Sequence, residues 1–332
     1  MSDHRPPSHR SPRRSSSRRL RWTRRTAIIG GALILLLAGS AVIALNRVEE
    51  RIRTEPLLTS SLAEEDGPGL NILVLGSDSR ELTTERYGKD DGAQRSDSML
   101  LVHLSQDDSR ISAVQIPRDT LVEAPQCTGR ASGTTMMINS ALNAGPACSV
   151  QAAEELTGVP IQHFALVDFD GFASVIDAIG GLPVRLDAPM KDTAADLDLP
   201  AGDQVLDGRQ ALAWARARHS IGDGSDISRL SHQQEVIAAI VDRVREQNLL
   251  TRPDRVLDLA DSAAEALTVD SDLGTSAALA SVFTRLAQVD ANRITVVTMP
   301  WQPAPEDPNR VVPSPEAATL FADIRKDVPV TG

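Results

Sequence analysis

An uncharged stretch of 21 residues, positions 26–46, constrains this 332-residue chain more than any other feature of its sequence. About 20 consecutive apolar residues cross the hydrocarbon core of a bilayer as a helix, so the stretch predicts one transmembrane helix. The alternative is a cleaved signal peptide, with Ala41 and Ala44 as small residues near the cut. The apolar region of a signal peptide is usually only about 7–15 residues long, so a membrane anchor is favoured.

The charges on the two sides of this stretch predict its orientation. Residues 1–25 carry nine arginines and one acid, whereas residues 26–332 carry 25 basic and 44 acidic residues. Because basic flanks stay in the cytoplasm, we expect a disordered cytoplasmic tail over residues 1–25. The chain would then be a single-pass protein of the cell membrane with an extracytoplasmic body. The acidic body argues against nucleic acid as a partner, since phosphate binding needs a basic surface.

The body divides into a short linker and one domain. Residues 47–69 are polar and end at the breaker Gly67-Pro-Gly69, which predicts a stalk. Interspersed strand and helix patterns over residues 70–328 predict a single three-layer α/β domain with a central mixed sheet flanked by helices. The predicted strands are Asn71–Leu75, Met99–Leu104, Ile111–Ile116, Phe164–Val167, Leu182–Leu186 and Ile294–Thr298. The predicted helices are Ser149–Leu156, Asp170–Ile179, Arg229–Glu246, 256–267, 273–287 and 315–326.

The chain has two cysteines, Cys127 and Cys148, and both fall in the part predicted to be exported. Thiols in an oxidising compartment usually pair. A catalytic thiol is disfavoured because neither cysteine has a histidine nearby in the sequence. We therefore expect a structural disulfide.

Charged residues follow or open several predicted strands. They are Asp78, Arg118, and Arg95 with Asp97, which would share one face of an extended chain. A further pair, Arg216 and Arg218, follows Leu212-Ala-Trp214 and could share a ligand only if its segment is extended. Ligands of open α/β sheets bind at the carboxyl ends of strands. Arginine matches phosphate oxygens, and a carboxylate pair can hold Mg²⁺ beside a phosphate. The pattern favours a phosphate or pyrophosphate site, with ordinary surface ion pairs as the alternative.

The same clusters, in the same order, resemble the LytR-CpsA-Psr family of bacterial cell-envelope proteins. The matching stretches are Asn71–Arg80, Arg95–Met99, Ile116–Asp119, Ile138-Asn139, Val167–Phe172, Gly180–Val184 and Leu206–Arg218, followed by Asp226 and Gln233. Any one of these stretches is a weak signal, but the ordered set is specific. It covers residues 70–240 densely.

The resemblance implies a phosphotransferase. The donor would be a glycopolymer on a polyprenyl pyrophosphate carrier, the acceptor peptidoglycan, and the cofactor Mg²⁺, with Mn²⁺ as a substitute. Asp78 and Asp97 match the family's metal ligands. The pyrophosphate-binding residues would be Arg95, Arg118, Arg216, Arg218 and Gln233. Asp226, or alternatively Asp223, matches a further acid near the site, and either Asp97 or Asp226 could be the general base.

Two positions depart from the family pattern, because Met137 and His232 stand where a basic residue is common. Both departures concern contacts to the pyrophosphate head group. Two other functions remain open at this point: a pyrophosphatase using water as the acceptor, and a non-catalytic polyprenyl-phosphate binder that regulates envelope assembly. A pure binder has little use for paired metal carboxylates, so the enzyme is favoured. The sequence does not identify the glycopolymer.

Overall fold

The computed structural model describes residues 52–57, 67–77, 95–217, 235–240, 242–243, 246 and 266–330. The predicted tail (1–25) and transmembrane helix (26–46) lie outside these residues. Within the described part of the chain, no helix has both the length and the apolar character needed to cross a membrane.

A mixed sheet forms the centre of the body, as the sequence predicts, and it has seven strands. The strands are β1 (Arg53–Glu55), β2 (Leu70–Ser77), β3 (Ser96–Leu104), β4 (Ile111–Gln115), β5 (Leu121–Glu123), β6 (Thr135–Met137), β7 (His163–Val167), β8 (Leu182–Leu186), β9 (Met190–Asp192), β10 (Leu197–Leu199), β11 (Gly202–Leu206), β12 (Leu267–Asp270), β13 (Ile294–Thr298), β14 (Trp301–Pro303) and β15 (Val311–Pro313). The order in the central sheet is β1-β12-β7-β2-β3-β4-β13. The other strands form the pairs β5–β6, β8–β11, β9–β10 and β14–β15.

Helices cover both faces of this sheet. They are α1 (Pro146–Thr157), α2 (Phe169–Ala178), α3 (Gly208–Arg216), α4 (Ser276–Gln288) and α5 (Pro315–Arg325), and residues 235–240 are also helical. Short 3-10 turns lie at Gln126–Thr128, Ile138–Ala144, Ser271–Leu273 and Ala291–Arg293.

The alternation of side chains along β2 explains the layers, because successive residues of a strand point to opposite faces. Leu73 and Leu75 belong to the largest apolar core, which includes Ala153 of α1 and Phe321 of α5. Ile72 lies in a separate core, against which Val282 and Leu286 of α4 pack. The β2 strand is therefore buried on both faces, as its continuous apolar run indicates.

Two strands of the central sheet differ from the prediction. β1 (Arg53–Glu55) falls inside the stretch expected to be a stalk, yet it pairs in parallel with β12. β12 itself begins at Leu267, where the sequence predicted the end of a helix over residues 256–267. The strand at Leu182–Leu186 is confirmed, but it pairs with β11 outside the central sheet.

The predicted disulfide is confirmed. Cys127 and Cys148 are bonded, with 5.7 Å between their Cα atoms. The bond joins the turn at Gln126–Thr128 to the first turn of α1. It therefore closes the segment that runs from just after β5 to α1.

Candidate functional site

Four parallel strands end at one end of the central sheet, which we call the carboxyl end. Their last residues are Ser77 of β2, Gln115 of β4, Val167 of β7 and Thr298 of β13. β3 runs the other way and begins there with Ser96. The residues that follow the parallel strands therefore gather with the start of β3. This is where ligands of α/β sheets bind.

Asp97 lies at a β-bulge in β3. Gly76 pairs with Ser98 and Ser77 with Ser96, which leaves Asp97 as the extra residue. The Ser96 hydroxyl donates to the Ser98 carbonyl at 2.6 Å and thereby bridges the bulge. Bulges redirect side chains and are frequent beside active sites. The Asp97 side chain is 33% exposed and remains accessible from solvent.

Arg118 follows β4 in a backbone segment that is fixed on both sides. Thr120 donates to the Pro117 carbonyl through its N–H at 3.0 Å and its hydroxyl at 2.6 Å. The Asn139 N–H donates to the Arg118 carbonyl at 3.3 Å, and the Ile138 N–H donates to the Thr120 carbonyl at 2.8 Å. Residues 138–139, which the family resemblance singled out, therefore support Arg118 through the backbone.

The Arg118 guanidinium contacts two carboxylates. Its Nη1 donates a short hydrogen bond to Asp97 Oδ1, and its Nε lies 3.6 Å from Asp119 Oδ2. The structure thus brings Asp97 and Arg118 into contact. In an ion pair that is about a quarter to a third exposed, solvent screens the interaction, so the pair adds little to stability.

A further arginine, Arg310, extends this contact beyond what the sequence predicted. Its Nη1 donates to Asp119 Oδ1 at 3.2 Å. The result is an alternating chain of charges, which we call the Arg118 chain: Asp97, Arg118, Asp119 and Arg310. Arg310 lies 191 residues from Asp119 and belongs to none of the matching stretches. No local sequence signal could have placed it here.

Arg216 also lies at the carboxyl end of the sheet, but it belongs to a helix and does not follow a strand. It is the last residue of α3, and its Cζ lies 4.6 Å from the centroid of the Phe169 ring, which follows β7. A cation over an aromatic face is held by the ring quadrupole. Ala217, with φ −59° and ψ 135°, is extended, so the helix ends at Arg216. Had the helix continued, Arg216 and Arg218 would diverge by about 200°.

Two aspartate–glycine motifs among the matching stretches have structural roles. Asp168 accepts from the Gly171 N–H at 2.7 Å and caps α2. Asp207 forms a capping box with Gln210 at the start of α3. A Cβ on Gly208 would come within 2.1 Å of the Ala173 carbonyl oxygen, so this glycine allows α3 to approach α2 closely. The approach positions Arg216 beside Phe169.

The predicted site residues Asp78, Arg218, Asp226 and Gln233 lie outside the described residues. His232, one of the two departures from the family pattern, lies outside them as well. Arg95 is described and exposed just before β3. The bulge at Asp97 interrupts the simple alternation that predicted a shared face for Arg95 and Asp97. Within the described ranges, no three acidic, histidine or cysteine side chains are grouped so as to hold a metal ion.

Comparisons with known proteins relate this arrangement to a family. The model of the LytR_cpsA_psr family matches residues 39–322. The cell wall biosynthesis protein LcpA of Corynebacterium glutamicum is 28% identical over 304 residues, which cover 81% of this chain. The chain spans little more than half of LcpA, 58% of its length.

A second relative and a solved structure extend this similarity. TagT of Bacillus subtilis, a polyisoprenyl-teichoic acid–peptidoglycan teichoic acid transferase, is 26% identical over 86% of this chain and 89% of its own. The solved structure of a LytR-Csp2A-Psr enzyme from Actinomyces oris superposes with a TM-score of 0.63, 24% identity, and coverage of 82% of this chain and 96% of that one. At this identity the superposition establishes a shared fold.

Proposed function

Since the chain belongs to the LytR_cpsA_psr family, we propose that it is a phosphotransferase that attaches a cell-wall glycopolymer to peptidoglycan. Its donor is a glycopolymer linked to a polyprenyl pyrophosphate, and its acceptor is a peptidoglycan hydroxyl. The products are a phosphodiester link and free polyprenyl phosphate. The name of TagT, a teichoic acid transferase of the same family, supports this class of reaction.

The observation that carries the proposal is the setting of Arg118. Its backbone is fixed by two elements, and its guanidinium is at the carboxyl end of the sheet, 23% exposed. A guanidinium is always charged and presents planar donors that match phosphate oxygens. Arg118 is therefore pre-positioned to bind a pyrophosphate, and Arg216 on the Phe169 ring supplies a second cation at the same end.

The chemistry follows from where charge develops. The acceptor oxygen attacks the phosphorus that carries the polymer, and the bond from this phosphorus to the bridging oxygen breaks. The electron pair leaves with polyprenyl phosphate, whose new negative charge is stabilised by Arg118 and Arg216. The other proposed pyrophosphate-binding residues, Arg95, Arg218 and Gln233, stabilise the same charge. Positioning and charge neutralisation dominate such transfers. The acceptor proton goes to a base, for which Asp97 and Asp226 are the candidates.

Asp78 and Asp97 would hold Mg²⁺, or Mn²⁺ in its place. The observed surroundings fit an oxygen-ligated ion of this kind: Asp97 is a partly exposed carboxylate, and Ser77, which precedes Asp78, pairs with Ser96, which precedes Asp97. Held by these two carboxylates, Mg²⁺ would supply positive charge to the pyrophosphate oxygens. We expect transfer to require a divalent cation, so activity that persists in excess chelator would contradict this assignment.

The proposed location is the outer surface of the cell membrane. Residues 26–46 would anchor the chain by a single helix, with residues 1–25 in the cytoplasm and the α/β body outside. The disulfide between Cys127 and Cys148 supports this orientation, because disulfides persist in oxidising compartments.

The test uses the full chain in liposomes with a labelled polyprenyl-pyrophosphate glycan, Mg²⁺ and peptidoglycan. We expect release of polyprenyl phosphate that depends on the acceptor, with the label arriving in peptidoglycan. Release without the acceptor would identify a pyrophosphatase. Binding of the lipid without any release would identify a non-catalytic binder. Either of these results would contradict the proposal.

A further inference from the structure

The β14–β15 hairpin docks beside the segment that carries Arg118. The Val311 N–H donates to the Asp119 carbonyl at 3.4 Å, and Thr120 and Val311 form a parallel bridge. The Ala304 N–H donates to the Arg310 carbonyl at 2.8 Å. Arg310 is thus presented from a backbone that is fixed both within the hairpin and against residues 119–120.

Asp119 divides its two oxygens between two arginines. Its Oδ1 accepts from Arg310 Nη1 at 3.2 Å, whereas its Oδ2 lies 3.6 Å from Arg118 Nε. Arg310 also lies near Asp307, with 3.8 Å between its Nε and Asp307 Oδ2. Arg310 therefore holds the Asp119 oxygen that does not face Arg118.

This arrangement has a consequence for Arg118. Asp97 and Asp119 place two negative charges around one guanidinium, so a mobile Asp119 would compete with Asp97 for the same donors. Arg310 gives Asp119 a second partner and makes the Arg118 chain neutral. With Asp119 fixed, the Nε edge of Arg118 faces one carboxylate and its Nη1 faces the other. Orientation of this kind matters, because small displacements of a catalytic group reduce rates strongly.

We propose that Arg310 is a positioning residue that acts through Asp119 to orient the Arg118 guanidinium for the leaving phosphate. This inference rests on the proposed function for its kinetic effect, but the orientation of Arg118 can be tested without any turnover. Arg310 itself need not touch the substrate.

The kinetic test compares Arg310→Gln with a matched control, Arg285→Gln. Both arginines are 35% exposed and both pair with an aspartate, Asp119 and Asp108 respectively. Arg310→Gln should lower kcat by about tenfold with little change in KM for the lipid donor, because charge on the leaving group develops in the transition state. Arg285→Gln should leave kcat unchanged, and Arg310→Lys should restore part of the loss.

A double variant tests whether Arg310 acts through Asp119. Once Asp119→Asn has removed the carboxylate, adding Arg310→Gln should lower kcat no further, whereas independent effects would multiply. A multiplied loss would overturn the proposal, as would a loss shared equally by Arg285→Gln.

The second readout is the Nε–Hε NMR signal of Arg118 in the full chain, identified by its disappearance in Arg118→Lys. Arg310→Gln should shift or broaden this signal, and Arg285→Gln should not. An unchanged Arg118 signal would overturn the inference. If the wild-type chain transfers nothing, the proposed function fails, but this signal still decides whether Arg310 orients Arg118.

Discussion

The two ends of the central sheet both carry clusters of charged side chains, but the clusters are built differently. At the end opposite to the carboxyl end, His103 is 1% exposed and lies between Asn71 and Asp327, with its Nδ1 2.7 Å from Asn71 Oδ1 and its Nε2 3.1 Å from Asp327 Oδ1. Arg110 donates to the carbonyl and the carboxylate of Asp327 at 2.7 and 2.6 Å. We call these four residues the His103 cluster.

The Arg118 chain at the carboxyl end is more exposed than the His103 cluster. Its side chains are 22–35% exposed, and its charged groups meet chiefly one another. In the His103 cluster, by contrast, the Asn71 amide also donates to the Pro160 carbonyl, and the Asp327 carboxylate also accepts from the Gln106 N–H. Buried polar groups that are hydrogen-bonded stabilise a fold, whereas accessible charges can exchange one another for a ligand. The comparison assigns stability to one end and binding to the other.

The largest expected effect is on the stability of the carboxyl end. Replacing Cys127 and Cys148 by serine should lower the free energy of unfolding by about 3 kcal/mol in the chain-entropy view of disulfides. Thermal unfolding would measure this loss. Hydrogen exchange should increase in residues 117–146, which surround the bond, more than in β3. Equal increases in both would show that the carboxyl end does not depend on the disulfide separately.

Asp327→Asn should destabilise the opposite end by about 2 kcal/mol, because the Gln106 N–H and Arg110 Nη2 lose a charged acceptor. Asn is the appropriate replacement, since Asp327 has a φ of 54° and Asn tolerates this region. The rate of transfer per folded molecule should not change. Asp203→Asn, which alters an exposed pair with Arg185, is the matched control and should be neutral. A fall in the transfer rate with Asp327→Asn would contradict the assignment of stability to this end and binding to the carboxyl end.

Arg118→Ala should reduce transfer at least about tenfold, since the variant lacks one donor to the leaving phosphate. Because the ion pairs of Arg118 are partly exposed, the midpoint of thermal unfolding should change little. Arg185→Ala is the control, as Arg185 pairs with Asp203 on the surface. A correctly folded Arg118→Ala protein with wild-type turnover would exclude Arg118 from the reaction.

The smallest effect concerns pH. Burial lowers the pKa of His103, and this outweighs the hydrogen bond and charge of Asp327, which act to raise it. The unfolded state therefore binds the proton more readily than the folded state does. The free energy of unfolding should fall as the pH drops below about 6.5, with a slope of at most about 1.4 kcal/mol per pH unit for one proton.

Denaturant unfolding between pH 7.5 and 5.5 would measure this slope, and His103→Gln should abolish it. A slope that survives His103→Gln would assign the proton to another group.

The sequence predicts the centre of this molecule better than its periphery. The apolar runs at Asn71–Leu75 and Ile111–Ile116 are buried on both faces, so their composition alone indicates strands. β1 has no such signal, because Arg53–Glu55 is polar. It is a strand because it pairs with the edge of β12. The end of the predicted helix over residues 256–267 was wrong for a related reason, since Leu267–Asp270 pairs with both β1 and β7.

The candidate site, too, could be predicted from the sequence only in part. Asp97 and Arg118 could be predicted to meet because residues at the ends of neighbouring strands converge. The bulge that displays Asp97 depends on the register between β2 and β3, which the sequence does not specify. Arg310 depends on how a distant hairpin docks. Contacts that depend on strand register or on long-range docking leave no local pattern in the sequence, so only the structure reveals them.

The most direct test of the comparison follows the Nε–Hε NMR signals of the full chain in lipid nanodiscs as a polyprenyl pyrophosphate is added. Arg118 at the carboxyl end and Arg110 at the opposite end can each be identified by a lysine variant. We expect the Arg118 signal to shift to saturation while the Arg110 signal does not move. An Arg118 signal that stays unchanged at saturating lipid, or a shift confined to Arg110, would contradict it.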